Sequence, residues 1–301
     1  MADAQPSQQL EARMEALAEP ENDIRVLTFE AVQRLAQEFE LSPRIVHRQA
    51  LQKRILPRRY LRNFGTLGWE GQLALLEGTV AVIGLGGLGG NVVEGLARAG
   101  IGCLVVVDGD VFVDHNLNRQ LLSEEARLGQ SKTEAAQARV AAINSAVEVI
   151  AYPEMAGAER LREILREVDV VVDALDRLPT RLSLQDVASE VGIPLVHGAI
   201  AGWTGQVMTV FPGDTGLRAL YGEEVPEQGA EVELGCPAAM PMMVAAWQVQ
   251  EVVKLLTGQG KLLRHQLLFI DAEMATVELL KVGGESPMGV SGCNGFLTPN
   301  S

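Results

Sequence analysis

The feature that most constrains the fold is a glycine-rich run between an apolar strand and an apolar helix. The strand Val80–Ile83 leads into Gly84–Leu85–Gly86–Gly87–Leu88–Gly89–Gly90, and a second apolar strand, Leu104–Val107, ends in Asp108. This order predicts a nucleotide-binding βαβ unit. In such a unit glycines let the backbone approach a phosphate, the helix N-terminus offers free N–H groups and the acid holds a ribose hydroxyl. The pattern alone does not separate NAD from ATP or FAD.

Charge and composition exclude several classes of protein. The chain has 301 residues and a net charge of −14, which argues against bulk binding to DNA, RNA or an anionic membrane. No apolar stretch is long enough to span a bilayer, and the polar N-terminus is unlike a signal peptide. The three cysteines, Cys103, Cys236 and Cys293, are odd in number and far apart, so we expect no disulfide framework. The sequence therefore predicts a cytoplasmic protein.

Strands and helices alternate along most of the chain. Strands are predicted at 79–84, 103–108, 147–151, 169–174 and 194–200, and helices near 88–99, 132–143, 158–167 and 180–191. This alternation predicts an α/β, Rossmann-like fold whose largely parallel sheet has helices on both faces. The C-terminal part adds a strand at 203–211, a helix at 240–256 and a closing antiparallel pair at 267–271 and 276–282.

The remaining segments have a different character. Residues 24–58 are predicted to form an N-terminal helical extension, a hairpin whose second helix begins at the Ser42–Pro43 cap. Residues 1–23 and the tail 283–301 are expected to be disordered. The connection 213–236 is rich in Gly, Pro and Glu and too long for an ordinary loop, so we expect it to be functional or mobile.

A basic run lies at the end of the N-terminal extension. It contains no acid between Ser42 and Asn63. Two interpretations remain open, a solvated basic face or a surface that meets phosphates or an acidic partner. The basic residues are Arg44, Arg48, Lys53, Arg54, Arg58, Arg59 and Arg62.

A polar cluster follows the second strand of the βαβ unit. In an open α/β sheet, ligands bind beyond the carboxyl ends of the strands, where Asp108 and Asp110 are placed. Asn116, Arg119 and Gln120 could therefore reach a triphosphate lying on the glycine loop. The alternative is an ordinary loop with an exposed arginine.

Two further positions suit a nucleotide and its metal. Lys132 begins a predicted helix, where its charge opposes the helix dipole unless an anion is bound, so we interpret it as a phosphate contact. Asp173 and Asp176 end the fourth strand. We assign Asp173 to bracing the loop and Asp176 to Mg²⁺, which takes one or two carboxylates together with phosphate oxygens. His197, inside a strand, is interpreted as a core histidine.

Together these motifs resemble the MoeB/ThiF/HesA family, the bacterial relatives of ubiquitin-activating enzymes, over about residues 59–282. The segments that carry the resemblance are the glycine run, Arg59–Tyr60–Leu61–Arg62–Asn63, Asp108, Asn116–Leu117–Asn118–Arg119–Gln120, Gly129–Gln130–Ser131–Lys132, Asp173–Ala174–Leu175–Asp176, and Leu234–Gly235 with Pro241 and the helix at 245–258. Several motifs in a fixed order are far more specific than a glycine loop alone.

The resemblance implies an adenylation reaction that uses ATP and Mg²⁺. The C-terminal glycine of a small ubiquitin-like sulfur carrier, ThiS- or MoaD-like and ending in Gly-Gly, would attack the α-phosphate and release pyrophosphate. A molybdopterin-type pathway is favoured over thiamine, because a well-placed loop cysteine is lacking. By position, the residues implied to bind nucleotide are Gly84, Gly86, Gly87, Gly89, Asp108, Asp110, Asn116, Arg119, Gln120 and Lys132. Asp176 is implied to bind Mg²⁺. Arg62 is implied to reach the ATP of the other subunit, making a homodimer the functional unit.

The chain departs from the family pattern at three places. The first of two C-x-x-C pairs that commonly hold zinc is replaced by Leu217–Arg218–Ala219–Leu220, and the second is reduced to Cys293, so we expect no structural zinc. Arg177 replaces the usual Asn after Asp176. Cys236 lies slightly later than the loop cysteine by which some members bind their carrier. It precedes a helix start, where a thiolate is stabilised, although a small packed residue is the simpler interpretation.

Other functions remain as alternatives. A tRNA-modifying dehydratase of the same superfamily, which activates a nucleoside carboxylate, would give the basic run a role in meeting RNA. An NAD-dependent oxidoreductase would explain the glycine loop and Asp108 but leave Arg119, Lys132 and Asp176 without a function. A non-catalytic ATP-binding scaffold conflicts with the intact set of phosphate-contacting residues.

Overall fold

The computed structural model describes residues 8–227 and 229–283. It begins with a small N-terminal module, residues 8–57. The elements of the module are α1 (Gln8–Leu17), β1 (Glu19–Glu21), β2 (Ile24–Leu27), α2 (Phe29–Glu38), α3 (Pro43–Gln52) and β3 (Ile55–Pro57). Strand β2 pairs with β1 in antiparallel and with β3 in parallel orientation, so one small sheet joins the beginning and the end of the module.

The predicted helical hairpin is confirmed at α2 and α3. The side chains of Thr28 and Ser42 cap the two helices by accepting hydrogen bonds from the N–H groups of Ala31 and Ile45. The three strands around the hairpin were not predicted, because segments of three or four residues are too short to show an alternating pattern.

The expectation of disorder over residues 1–23 is wrong for the part that the structure describes. Helix α1 buries Leu10 and Met14 almost completely, and both side chains belong to the same apolar cluster as Leu35 of α2 and Val46 of α3. Burial of two large apolar side chains orders a segment whose overall composition is polar. Residues 1–7 lie outside the described residues.

The main part of the chain is built on an eight-stranded sheet. Its strand order is β11-β10-β9-β8-β7-β4-β5-β6. The bounds are β4 (Thr79–Ile83), β5 (Cys103–Val107), β6 (Glu148–Tyr152), β7 (Val170–Asp173), β8 (Leu195–Ala201), β9 (Thr204–Val210), β10 (Gln266–Asp271) and β11 (Thr276–Lys281). Strands β6, β5, β4, β7 and β8 are mutually parallel, and β9 to β11 are antiparallel. The predicted α/β architecture is therefore confirmed.

Helices cover both faces of this sheet, because alternate residues of its buried strands point to opposite sides. Val80 and Val82 belong to a core with α4, α5, α6 and α11, whereas Ala81 and Ile83 belong to a core with α7, α8 and α9. The helices are α4 (Leu61–Glu77), α5 (Gly87–Ala99), α6 (Lys132–Ile143), α7 (Ala158–Ile164), α8 (Leu178–Val191), α9 (Leu217–Tyr221), α10 (Glu231–Leu234) and α11 (Ala239–Thr257). No helix in the described ranges is both long and apolar enough to cross a bilayer.

The chain reverses its direction across the sheet at β4. After β4 it adds β5 and β6 on one side, and it then crosses to β7 on the other side of β4. In doubly wound sheets this reversal opens a crevice at the carboxyl ends of the strands, which is where ligands bind. The candidate site is therefore expected beyond Ile83, Val107 and Asp173.

The predicted long connection contains two short helices, α9 and α10, between β9 and α11. Leu217 of α9 is fully buried and belongs to the same apolar cluster as Leu220 and Val282. Apolar packing thus joins the segment 217–220 to the residue that follows β11. Cys293 and the rest of the tail from 284 onward lie outside the described residues.

Candidate active site

The glycine loop joins β4 to α5 and uses its glycines in two ways. Gly84 has φ of +92°, and a Cβ there would lie 2.6 Å from the carbonyl oxygen of Ala174. A Cβ at Gly89 would lie 1.8 Å from the carbonyl oxygen of Gly84. A Cβ at Gly86, by contrast, has Gln120 Nε2 as its nearest neighbour, at 3.7 Å. Gly84 and Gly89 therefore close the turn, while Gly86 faces open space on the side where a phosphate would approach.

Asp108 follows β5 and holds the glycine loop in place. Its Oδ2 accepts a 2.6 Å hydrogen bond from the N–H of Leu85, and its Oδ1 accepts one of 2.8 Å from the N–H of Asp110. The side chain is only 8% exposed, and this burial raises the pKa of Asp108. Each carboxylate oxygen can accept a second hydrogen bond, so Asp108 can brace the loop and still receive a ribose hydroxyl.

Lys132, in the first turn of α6, is also buried, at 6% exposure. Its Nζ lies 2.9 Å from Asp110 Oδ2 and 3.8 Å from Asp108 Oδ2. The sequence argument required an anion near this lysine, and the structure supplies two carboxylates. The position of Lys132 in the helix therefore does not by itself require a phosphate.

Asn116, Arg119 and Gln120 lie on the turn that follows. Asn116 Oδ1 accepts from the N–H of Val113, and Arg119 Nη1 donates to the carbonyl oxygen of His115 at 3.0 Å. Within the described residues, the buried Oε1 of Gln120 has no hydrogen-bond partner. Because Gln120 Nε2 also lies nearest to Gly86, this amide is directed at the open side of the glycine loop. A buried unpaired acceptor of this kind is a place for a ligand donor or a water.

The loop after β7 carries the two predicted acids. Asp173 is fully buried, and its Oδ1 accepts a 3.0 Å hydrogen bond from the N–H of Leu175, which agrees with a role in bracing the loop. A Cβ on Gly84 or Gly89 would lie 2.6 Å or 3.3 Å from an atom of Ala174, so this loop borders the glycine loop. Asp176 is exposed and has no hydrogen-bond partner among the described residues. Across all the residues that the structure describes, no group of three or more His, Cys, Asp or Glu side chains is placed to hold a metal ion.

Arg181 was not identified from the sequence. This α8 residue is buried, forms an ion pair of 3.1 Å with Asp173, and donates to the backbone oxygens of Leu175 and Gly198. No local motif marks it, since its partners come from three separate elements. His197 is fully buried at 0% exposure, as interpreted, and its Nδ1 lies 2.7 Å from Asp173 Oδ2.

The structure does not bring Arg62 to the glycine loop of its own chain. The neighbouring Asn63 donates to the carbonyl oxygen of Ala99, at the end of α5 opposite the loop. Helix α5 rises about 18 Å between these ends. Arg62 is exposed and has no hydrogen-bond or ion-pair partner among the described residues.

Cys236 lies near the candidate site, but its surroundings do not activate it. Its carbonyl oxygen accepts a hydrogen bond of 3.3 Å from Asn118 Nδ2, which places it beside Arg119. Burial raises the pKa of the Cys236 thiol, and the opposing influence of Arg119 is smaller. This direction does not favour a thiolate stabilised before α11.

Four of the seven basic residues in the run of the N-terminal extension form ion pairs with acids of the same chain. The ion pairs join Arg44 to Glu148 at 3.3 Å, Lys53 to Glu11 at 2.8 Å, Arg54 to Glu70 at 2.7 Å and Arg58 to Glu21 at 2.9 Å. Surface pairs of this kind contribute about 1 kcal/mol or less each. They engage four of the seven charges that an RNA partner could meet.

Comparison with known proteins gives a consistent result. The sequence model of the ThiF family matches residues 58–290. The SAMP-activating enzyme E1 of Haloferax volcanii is 40% identical over 225 residues, which cover 73% of this chain and 83% of that protein. The sulfur carrier protein adenylyltransferase of Thermus thermophilus is 38% identical over 224 residues, covering 72% and 83%.

Longer relatives and solved structures extend the comparison. A maize adenylyltransferase and sulfurtransferase, MOCS3-2, is 37% identical over 235 residues, covering 76% of this chain but 48% of that protein. The chain thus spans about half the length of this relative. The crystal structure of Escherichia coli MccB with ATP superimposes with a TM-score of 0.66 at 22% identity, covering 76% of this chain and 73% of that one. At that identity the superposition establishes a common fold.

Proposed function

The chain belongs to the ThiF family, and we propose that it uses ATP to adenylate the C-terminal glycine of a small ubiquitin-like sulfur-carrier protein. The resemblance to the MoeB/ThiF/HesA family is confirmed by the match over residues 58–290. Two relatives that align over 83% of their length are named as a SAMP-activating enzyme and a sulfur carrier protein adenylyltransferase. These names support an adenylyltransferase acting on such a carrier.

The observation that carries the proposal is the convergence of one polar set at the reversal point of the sheet. Asp108, Lys132 and Gln120 are all buried there. Asp108 accepts a hydrogen bond from the N–H of Leu85 and lies near Lys132, while Gln120 and Arg119 lie next to Gly86 and Gly87. An oxidoreductase would need the glycine loop and Asp108, but it would not need the cations.

The proposed reaction needs positioning and charge neutralisation. The glycine carboxylate attacks the α-phosphorus, an acyl O–P bond forms, and the bond from that phosphorus to the bridging oxygen breaks as pyrophosphate leaves. The carboxylate is already ionised, so no general base is required. The protein contributes fixed N–H groups and cations against the charge on the phosphates.

Individual roles follow from position. Gly86 and Gly87 admit the phosphates, while Gly84 and Gly89 keep the turn closed around them. Asp108 receives the ribose, with Asp110 beside it. The phosphates are contacted by Asn116, Arg119 and Lys132, with Gln120 in support.

Asp176 is proposed to hold Mg²⁺. Mg²⁺ in nucleotide sites is bound through one or two carboxylates together with phosphate oxygens and waters. A single exposed carboxylate bordering the glycine loop fits that donor set, and a dedicated cage of protein ligands is not needed. When bound, the ion supplies positive charge to the leaving pyrophosphate.

The functional unit is proposed to be a homodimer in which Arg62 serves the partner subunit's site. Two features support this. Arg62 lies at the far end of α5 from its own loop, and α11 exposes a row of large apolar side chains. Met242, Met243 and Trp247 are 48%, 39% and 39% exposed, and apolar patches on a surface helix are typical of subunit interfaces.

The experiment that tests the proposal is ATP–pyrophosphate exchange with a purified carrier that ends in Gly-Gly. Exchange should require ATP, Mg²⁺ and the intact C-terminus of the carrier, and a carrier truncated by its last glycine is the matched control. Exchange stimulated by tRNA instead of carrier would contradict the proposal. The tRNA alternative is weakened, since four of the seven basic residues of the run are paired with acids of the same chain. The predicted cytoplasmic location suits an enzyme that uses ATP.

A further inference from the structure

A chain of buried and partly buried hydrogen bonds connects α9 to the loop that carries Asp176. His197 Nε2 lies 3.1 Å from the hydroxyl of Tyr221, the last residue of α9, and His197 Nδ1 lies 2.7 Å from Asp173 Oδ2. Gln206 Nε2 donates to the same tyrosine hydroxyl. His197 thus stands between the long connection and the end of β7.

The directions of these hydrogen bonds are fixed by their chemistry. Gln206 Nε2 can only donate, so the Tyr221 hydroxyl is free to donate its proton to His197 Nε2. The proton of the neutral imidazole then resides on Nδ1 and is donated to the Asp173 carboxylate. Arg181 Nη1 lies 3.3 Å from His197 Nδ1, but both are donors, so they share the Asp173 oxygen and do not bond each other.

The charges in this cluster balance. Burial alone would raise the pKa of Asp173, but Arg181 and the hydrogen bond from His197 outweigh it and hold that pKa below its usual value. Burial lowers the pKa of His197, so the histidine stays neutral beside the Asp173–Arg181 ion pair. A buried ion pair whose hydrogen bonds are satisfied favours one arrangement over its alternatives.

The cluster fixes the backbone next to Asp176. The N–H of Leu175 donates to Asp173 Oδ1, and the carbonyl oxygen of Leu175 accepts from Arg181 Nη2. Both backbone polar groups of the residue before Asp176 are therefore held by members of the cluster. Gln248 Nε2 of α11 also donates to the carbonyl oxygen of Asp173.

We propose that Tyr221 is a positioning residue that couples the 213–236 connection to the Asp176 loop through His197, Asp173 and Arg181, and so sets the affinity of the nucleotide-loaded site for a divalent cation. The inference rests on the proposed function, in which Asp176 holds Mg²⁺. It gives the long connection a role in the adenylation site. Movement of α9 would remove the donor to His197 Nε2 and loosen the arrangement around Leu175.

The test compares Tyr221→Phe with Tyr152→Phe. Both remove one hydroxyl, but the Tyr152 hydroxyl has no hydrogen-bond partner among the described residues. Hydrogen exchange of the peptide spanning 172–178 should become about fivefold faster in Tyr221→Phe, as expected for one lost buried hydrogen bond, and stay unchanged in Tyr152→Phe. Mn²⁺ titration of protein saturated with a non-hydrolysable ATP analogue, followed by EPR, should show about fivefold weaker binding in Tyr221→Phe only.

Each result decides the inference. Unchanged exchange at 172–178 in Tyr221→Phe would overturn the coupling. Faster exchange with unchanged Mn²⁺ affinity would overturn the role in cation binding, as would equal effects of the two substitutions. Failure of the proposed function is separate, because it would appear as absent carrier-dependent pyrophosphate exchange in the unsubstituted protein.

Discussion

The ammonium group of Lys132 lies 2.9 Å from the carboxylate of Asp110, and the two ends of this ion pair differ sharply in exposure. The lysine side chain is 7% exposed and that of Asp110 is 53% exposed. Asp110 can therefore turn towards solvent while Lys132 stays in place. The pair keeps a cation buried at the site before nucleotide arrives and can release it to a phosphate afterwards.

Replacing Lys132 by Met should lower carrier-dependent pyrophosphate exchange by about a hundredfold, because one preorganised cation contributes on the order of 3 kcal/mol to a developing charge. Lys281→Met removes an exposed lysine of β11 and is the control. The readout is kcat/KM for ATP in the exchange assay. If Lys132→Met keeps an activity within twofold of that of Lys281→Met, the role of Lys132 is limited to its ion pairs with Asp108 and Asp110.

Alanine substitutions at Gly89 and Gly86 should affect different properties, stability in the first case and ATP binding in the second. Gly89→Ala places a Cβ 1.8 Å from the carbonyl oxygen of Gly84, so it should lower the free energy of unfolding by about 3 kcal/mol. Gly86→Ala meets no atom closer than 3.7 Å and should change stability by about 1 kcal/mol or less, yet weaken ATP binding about tenfold by occupying the phosphate side. Urea denaturation and calorimetric ATP titration measure the two effects. Equal loss of stability in both variants would contradict this division.

Much of the fold could be predicted from the sequence, because buried parallel strands and amphipathic helices carry local patterns. The helix caps at Ser42 and Gly258 and the antiparallel closing strands follow from such patterns. The short strands β1 to β3 and the ordering of α1 could not, since they depend on pairing and packing with distant residues. Met14, for example, becomes buried only when α2 and α3 are in place.

The site shows the same division. Asp108, Asp173 and Lys132 were recognised because they follow strand ends or begin a helix. The roles of Arg181, Tyr221 and the unpaired Oε1 of Gln120 depend on neighbours that are distant in the sequence. The position of Lys132 predicted a phosphate, and only the fold shows that the carboxylates of Asp108 and Asp110 lie beside it.

His47 should make stability depend on pH. Burial, together with the nearby Arg59 cation, lowers the pKa of His47 from 6.5 to about 3. Between these values the unfolded chain binds the proton and the folded chain does not, so stability falls as pH drops below about 6.5. Between about pH 7.5 and pH 5, the free energy of unfolding should fall by about 2 kcal/mol more in the unsubstituted protein than in His47→Gln. Urea denaturation of both proteins at the two pH values measures this difference, and an identical pH dependence would show that His47 is protonated in the fold.

Cys236 should be a slow nucleophile. Because burial raises the pKa of its thiol, alkylation by iodoacetamide near neutral pH should be slower than that of a free cysteine. Cys236→Ser should retain carrier-dependent pyrophosphate exchange within about twofold, since the proposed adenylation needs no thiol. A thioester or persulfide between carrier and protein, detected by non-reducing electrophoresis and lost in Cys236→Ser, would contradict this.

Mixed dimers of two inactive variants test whether Arg62 serves the site of the partner subunit, because mixing can restore activity only if it does. Arg62→Ala and Lys132→Met should each be nearly inactive alone. If the arginine serves the partner's site, a mixed dimer contains one site with both residues intact, so random reassociation should restore about a quarter of the unsubstituted activity. Were Arg62 to act within its own chain, no mixed dimer would hold a complete site and mixing would restore nothing.

Arg127→Ala, which removes an arginine on the turn before α6, replaces Arg62→Ala in the control mixture. Sedimentation analysis establishes that the mixed species form, so an absence of activity in a verified mixed dimer would place Arg62 outside the partner's site.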